Sequence, residues 1–164
     1  MHSCIMSSIF SWRSRTISRH SRNMLCAVLS NMSGSGGDRC KQLSAGDSAT
    51  VSKVVTPGDV EAFSSLTGDV NPVHFGRDAI VPGALLNGLV SGVMGARLPG
   101  PGTKVVAQTL NFPNACPVGD QVCVTVTVTS VRKIVVCSFS CVTSRNQKTV
   151  LRGEAKLIVN REKT

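Results

Sequence analysis

Tyrosine is absent from this chain, tryptophan occurs once, and nine acidic side chains face eighteen basic ones across 164 residues. No stretch approaches the roughly 18 uninterrupted apolar residues that cross a bilayer, which excludes a membrane span. Beyond residue 40 there is no Tyr or Trp, and the rings that remain are Phe63, Phe75, Phe112 and Phe139. Single-stranded nucleic acid is usually bound on exposed stacking rings. These phenylalanines sit mostly in apolar runs and are expected in the core, so no nucleic-acid partner is expected. The seven cysteines are odd in number and lack paired metal spacings; Cys137 and Cys141 lie four apart with no histidine nearby. That pattern argues against structural zinc and against a disulfide framework, leaving reduced thiols and no metal site. Cys116, Cys123, Cys137 and Cys141 are expected as small buried hydrophobes.

Acid is scarcest at the N-terminus. The first forty residues hold Arg13, Arg15, Arg19, Arg22 and Arg39 but no carboxylate before Asp38. Many serines and a stripe of Ile5, Ile9, Phe10, Trp12 and Ile17 complete the composition of a mitochondrial transit segment rather than a secretory signal. Residues 1–40 are therefore predicted to be a matrix-targeting segment ending in the flexible linker Ser33-Gly34-Ser35-Gly36-Gly37, and 45–162 to form one domain. Without that segment the formal charge falls from +9 to +5. A basic body suits an anionic partner such as the phosphates of coenzyme A or an acidic carrier protein.

In the body, the β-branched run Ala49–Val55 ends at Thr56-Pro57, an N-cap followed by a first-turn proline, and Gly68 marks the end of the short helix that follows. The segment from Gly83 to Leu98 reads as a second helix closed by Pro99-Gly100, apolar nearly all round and hence expected to be buried. Val122, Val124, Val126 and Val128 alternate with Cys123, Thr125, Thr127 and Thr129, the period of a strand with one buried face. With 103–112, 134–143 and 149–159 this predicts four long strands, successive ones being antiparallel neighbours. Their apolar face needs a cover, and the long helix is the obvious one. The expected fold is α+β, a curved antiparallel sheet wrapped around one central helix.

Between the two helices lies Gly68-Asp69-Val70-Asn71-Pro72-Val73-His74. A carboxylate and an imidazole are the side chains that most readily hold and deprotonate a water near neutral pH. Taken alone, Asp69 and His74 could equally be a turn cap and a structural histidine. In context, FSSLTGDVNPVH followed by IVPGALLNGLVSGVMGARLPGPGT and FPNACPVGD resembles the MaoC-like, hot-dog-fold (R)-specific enoyl-thioester hydratases, which include mitochondrial 3-hydroxyacyl-thioester dehydratases. The resemblance spans roughly Ser52 to Val159. It implies a hot-dog fold, a homodimer, no cofactor, and reversible hydration of a trans-2-enoyl thioester of coenzyme A or acyl carrier protein. It makes Asp69 and His74 the catalytic pair, with Asn71 in support. The Gly83 N–H becomes the donor to the thioester oxygen, and Ser91 an inward residue near the reacting centre.

The chain departs from the family between His74 and Gly83, where Phe75 to Pro82 is about half the usual length and Pro82 replaces a common histidine. The missing part helps line the acyl tunnel in the family. This keeps two alternatives in view, an impaired acyl-thioester-binding protein and a hot-dog thioesterase.

Overall fold

The computed structural model describes residues 42–160, so the targeting segment expected over 1–40 falls outside the described residues. Strand β1 (Ser48–Val54) runs into helix α1 (Pro57–Thr67). The helix begins as the sequence predicts, with Thr56 as N-cap, and closes on Gly68 at φ 76°, a left-handed turn that glycine adopts without strain. The sequence reading missed the rest of the cap. Asp59 accepts from the Thr56 N–H at 2.8 Å, and its own N–H donates to Thr56 Oγ1 at 3.2 Å, a reciprocal box braced by Lys53 Nζ at 2.9 Å.

After a single 3-10 turn (Pro72–His74), helix α2 occupies Gly83–Ala96, followed by β2 (Thr103–Asn111), β3 (Gln121–Val131), β4 (Val135–Thr143) and β5 (Thr149–Val159). The valine alternation of β3 does what its period demands: Val122, Val124, Val126 and Val128 are all buried. They join Cys137, Phe139 and Cys141 of β4, and Leu151, Ala155 and Leu157 of β5, in one core against α2. Each large apolar side chain so buried contributes on the order of 1.5–3 kcal/mol. The sheet-on-helix architecture is the hot-dog fold.

Three expectations need correction. The strand order is β1-β3-β4-β5-β2, so β2 pairs with β5 at the far edge instead of lying beside its chain neighbour β3. The connection after β2 carries the chain across the fold because it is tied elsewhere: Val81 N–H donates to the Cys116 carbonyl at 2.8 Å and Val118 N–H to that of Ala79 at 2.9 Å. Helix α2, in turn, is buried on one stripe only. Leu86, Val90, Val93 and Met94 face the sheet, while Ala84, Gly88, Ser91, Gly92, Gly95 and Ala96 are exposed. Cys123, finally, is half-buried, because it alternates with the valines and so falls on the sheet's outer face.

Candidate active site

Cap chemistry at the end of α1 sets the position of the acid. Thr67 Oγ1 is anchored on the Phe63 carbonyl at 2.8 Å and accepts the Asp69 N–H at 3.3 Å. The Asn71 N–H then donates to Asp69 Oδ1 at 3.2 Å, which leaves Oδ2 for another partner. Asn71 supports the pair through the backbone. Its side chain accepts from the Val73 N–H at 3.4 Å and its carbonyl from the His74 N–H at 3.0 Å, so it winds the turn that carries His74. Pro72 suits the first position of that turn because its ring fixes φ and it has no N–H to satisfy.

The His74 ring is only 11 % exposed and Asp69 39 %. Its Nδ1 lies 2.8 Å from the Ile80 carbonyl oxygen. A carbonyl only accepts, so Nδ1 carries a proton, and in the neutral ring Nε2 is then the bare nitrogen. Nε2 lies 3.6 Å from Asp69 Oδ2, beyond direct hydrogen-bond reach. Two acceptors set slightly too far apart to bond favour a group with two protons to give, and water is the simplest such group.

The short loop after His74 is closed rather than slack. Ile80 N–H donates to the Val73 carbonyl at 3.0 Å, and Ile80 forms a β-bridge with Pro117. The PVGD turn therefore holds the carbonyl that orients the imidazole, and its Asp120, 3 % exposed, pairs with Arg145 Nε at 3.1 Å.

His74 and Gly83 line a common cavity of 340 Å³, otherwise walled mainly by apolar groups, including Leu86, Phe112, Cys116 and Val150. Neither the Gly83 nor the Ala84 N–H has a hydrogen-bond partner among the described residues, and Pro82 has none to offer. Free donors and the positive end of the helix dipole thus coincide. A Cβ on Gly83 would come within 2.9 Å of Phe112 Cε1, so the glycine is also required for the close approach of that ring.

Of the residues singled out from sequence, Asp69, Asn71 and His74 fall in one loop, and His74 and Gly83 in one cavity. Ser91 does not join them. It is exposed, because it lies about 100° around the helix from Val90, off the buried stripe. Phe75 and Phe112, expected in the core, are 42 % and 47 % exposed, Phe75 directly after His74 and Phe112 in the cavity wall. The Ile80 carbonyl was not foreseeable, since a backbone acceptor leaves no mark in composition.

No family model matches the chain. It is 36% identical over 126 residues to an (R)-specific enoyl-CoA hydratase of Rhodospirillum rubrum, covering 70% of this chain and 86% of that one. A mitochondrial 3-hydroxyacyl-[acyl-carrier-protein] dehydratase of Arabidopsis thaliana is 27% identical over 71% of this chain and 78% of its own length. Among solved structures, the (R)-hydratase of A. caviae involved in PHA biosynthesis superimposes with a TM-score of 0.70 at 32% identity, covering 74% of this chain and all of that one.

Proposed function

Because this chain belongs to the MaoC-like family of (R)-specific enoyl-thioester hydratases and 3-hydroxyacyl-thioester dehydratases, we propose that it interconverts trans-2-enoyl and (3R)-hydroxyacyl thioesters, with Asp69 and His74 as its catalytic pair. The observation that carries this reading is the bare Nε2 of His74 set 3.6 Å from Asp69 Oδ2 while Nδ1 is committed to Ile80. A water held between them gives a proton to Nε2 as its oxygen bonds to C3. The C2=C3 electron pair moves toward the thioester, whose oxygen gains enolate character and accepts from the Gly83 N–H. The proton on Nε2 then passes to C2, and dehydration runs these steps in reverse. No cofactor takes part.

Its place is mitochondrial fatty acid synthesis in the matrix, with coenzyme A or acyl carrier protein as the thioester carrier. The acid-poor first forty residues and the likeness to a plant mitochondrial dehydratase support this assignment. The chain acts as a homodimer. In support, β2 lies at the sheet edge with Val105, Val106 and Leu110 exposed, and α2 exposes a face of small residues. A twin copy meets both needs, since an edge strand can pair antiparallel with its own copy across a two-fold axis.

The experiment is hydration of short trans-2-enoyl-CoA by the full chain, followed by loss of enoyl absorbance. Turnover is expected, with Asp69→Asn and His74→Ala each lowering kcat by about 10²–10⁴-fold while the far-ultraviolet spectrum is kept. Turnover that survives either substitution excludes the dyad. The shortened loop favours a second reading, an acyl-thioester binder with little turnover, and that reading predicts binding of the same ligand without hydration.

A further inference from the structure

Resting on the hydratase reading for what the imidazole does, we infer that the ion pair of Asp120 and Arg145 is a positioning device for His74, acting through the backbone that presents the Ile80 carbonyl. Stability alone does not account for a carboxylate at position 120. Its side chain is buried, yet the arginine whose Nε lies 3.1 Å from Oδ1 is 77 % exposed. The other oxygen, Oδ2, is buried and has no hydrogen-bond partner among the described residues. A buried carboxylate met from one side recovers little of its lost hydration, and an ion pair with so exposed an arginine contributes little to stability. Asparagine, with the same shape and no charge, would suit the fold as well. A buried polar atom left open in this way needs a reason beyond packing.

The chain on either side of Asp120 supplies that reason. Residues 79–81 and 116–118 form a short antiparallel ribbon, in which Val118 N–H donates to the Ala79 carbonyl at 2.9 Å and Val81 N–H to that of Cys116 at 2.8 Å. Ile80 and Pro117 face each other between these two bonds without sharing either. In an antiparallel pair such a residue turns its own N–H and carbonyl away from the partner strand. Those of Ile80 reach the loop that carries His74: the N–H donates to the Val73 carbonyl at 3.0 Å, and the carbonyl accepts from His74 Nδ1 at 2.8 Å. The other strand of the ribbon runs directly into the turn Pro117–Asp120. Two bonds with Val55 hold that turn beside the end of β1, but its own closing bond, from Asp120 N–H to the Pro117 carbonyl, is long at 3.3 Å. The Arg145 guanidinium pins the Asp120 end of this weakly closed turn. It does so from a fixed base, since the adjacent Ser144 N–H donates to the Gln121 carbonyl at 2.8 Å. Releasing the pair lets Pro117 shift, and Ile80 with it. A misplacement of about 1 Å at a catalytic group can cost on the order of a hundredfold in rate.

The test uses the full-length protein with Asp120→Asn, which keeps the shape and removes the charge, and Arg145→Ala, at a side chain exposed enough that folding is little affected. Arg145→Lys returns a cation to the same place. The ¹⁵N shifts of the His74 ring, assigned against His74→Ala, report its tautomer without any need for turnover, and hydration of short trans-2-enoyl-CoA gives kcat and KM separately. Asp120→Asn and Arg145→Ala should each lower kcat by about ten- to a hundredfold, leave KM within about twofold, and mix the Nε2–H tautomer into the resting ring. Arg145→Lys should recover most of both signals. If Asp120→Asn does not fold, the two arginine variants decide. A tautomer change in a protein that shows no turnover upholds the positioning and removes the hydratase reading. Turnover and His74 shifts that neither substitution alters overturn the positioning, even where the unfolding midpoint falls, and leave the hydratase reading standing.

Discussion

A protonated Nδ1 on His74 is dictated by its acceptor, since the Ile80 carbonyl has no proton to return. The neutral ring should therefore appear as the Nδ1–H tautomer in ¹⁵N-edited spectra of the resting protein; the Nε2–H form would contradict the arrangement. The thiols offer a second check on single residues. Burial, helped at Cys116 by the Asp120 charge, pushes that thiol up to about 11; burial likewise lifts Cys137 to about 11 and Cys141 to about 12. At neutral pH all three stay protonated and poorly nucleophilic. For Cys116 this matters because it lines a cavity proposed to admit an electrophilic alkene. Alkylation of the native protein, mapped by mass spectrometry, should therefore label Cys123 first among the four described cysteines, and the other three only on unfolding. At this scale residue types were legible in the sequence, whereas the exposure of Ser91 was not, because apolar neighbours all round the helix hid which stripe meets the sheet.

Elements were read more securely than residues, and their caps explain why. Thr56, Pro57 and Gly68 mark both ends of α1 by local chemistry that needs no tertiary partner. The Asp59 carboxylate is held down to about 2, from an ordinary 3.8, chiefly by the Thr56 N–H, then by the Thr56 hydroxyl and Lys53. A folded-state value below the unfolded one stabilises the fold above about pH 4, and that contribution fades as pH falls through 2. Asp59→Asn should accordingly cost about 0.3–1 kcal/mol at pH 7 in denaturant titration, with wild type and variant converging near pH 2. Within the sheet, β5 crosses beneath the Phe139 ring at Gly153, where a Cβ would lie 2.6 Å from Phe139 Cζ and would overlap the Thr109 carbonyl oxygen. Gly153→Ala should lower stability by about 2 kcal/mol or more, read from the same titrations, since both the β2 backbone and a buried ring must shift.

For the whole molecule the prediction concerns the exposed sides of α2 and β2. The exposed helix face of Ala84, Gly88, Gly92 and Gly95 and the edge residue Val106 leave apolar surface that the other described residues do not cover. Sedimentation should give twice the chain mass, and Val106→Lys should shift the protein toward the monomer, because a lysine on an edge strand opposes pairing. A monomeric wild type would remove the dimer from the proposal.

Periodicity, caps and one seven-residue motif carried the fold class, the two helices, the four long strands and the choice of Asp69 and His74 as candidates, because each depends on residues near in the chain. Long-range contact settled the rest. The place of β2 follows from its ladder with β5, where Thr103 meets Val159 and Asn111 meets Arg152, far apart in sequence. The imidazole takes its orientation from a backbone oxygen, and the cavity is lined jointly by residues as distant in sequence as His74 and Val150. A pattern of side chains can announce which face of a strand is apolar, but not which distant backbone will come to lie against it.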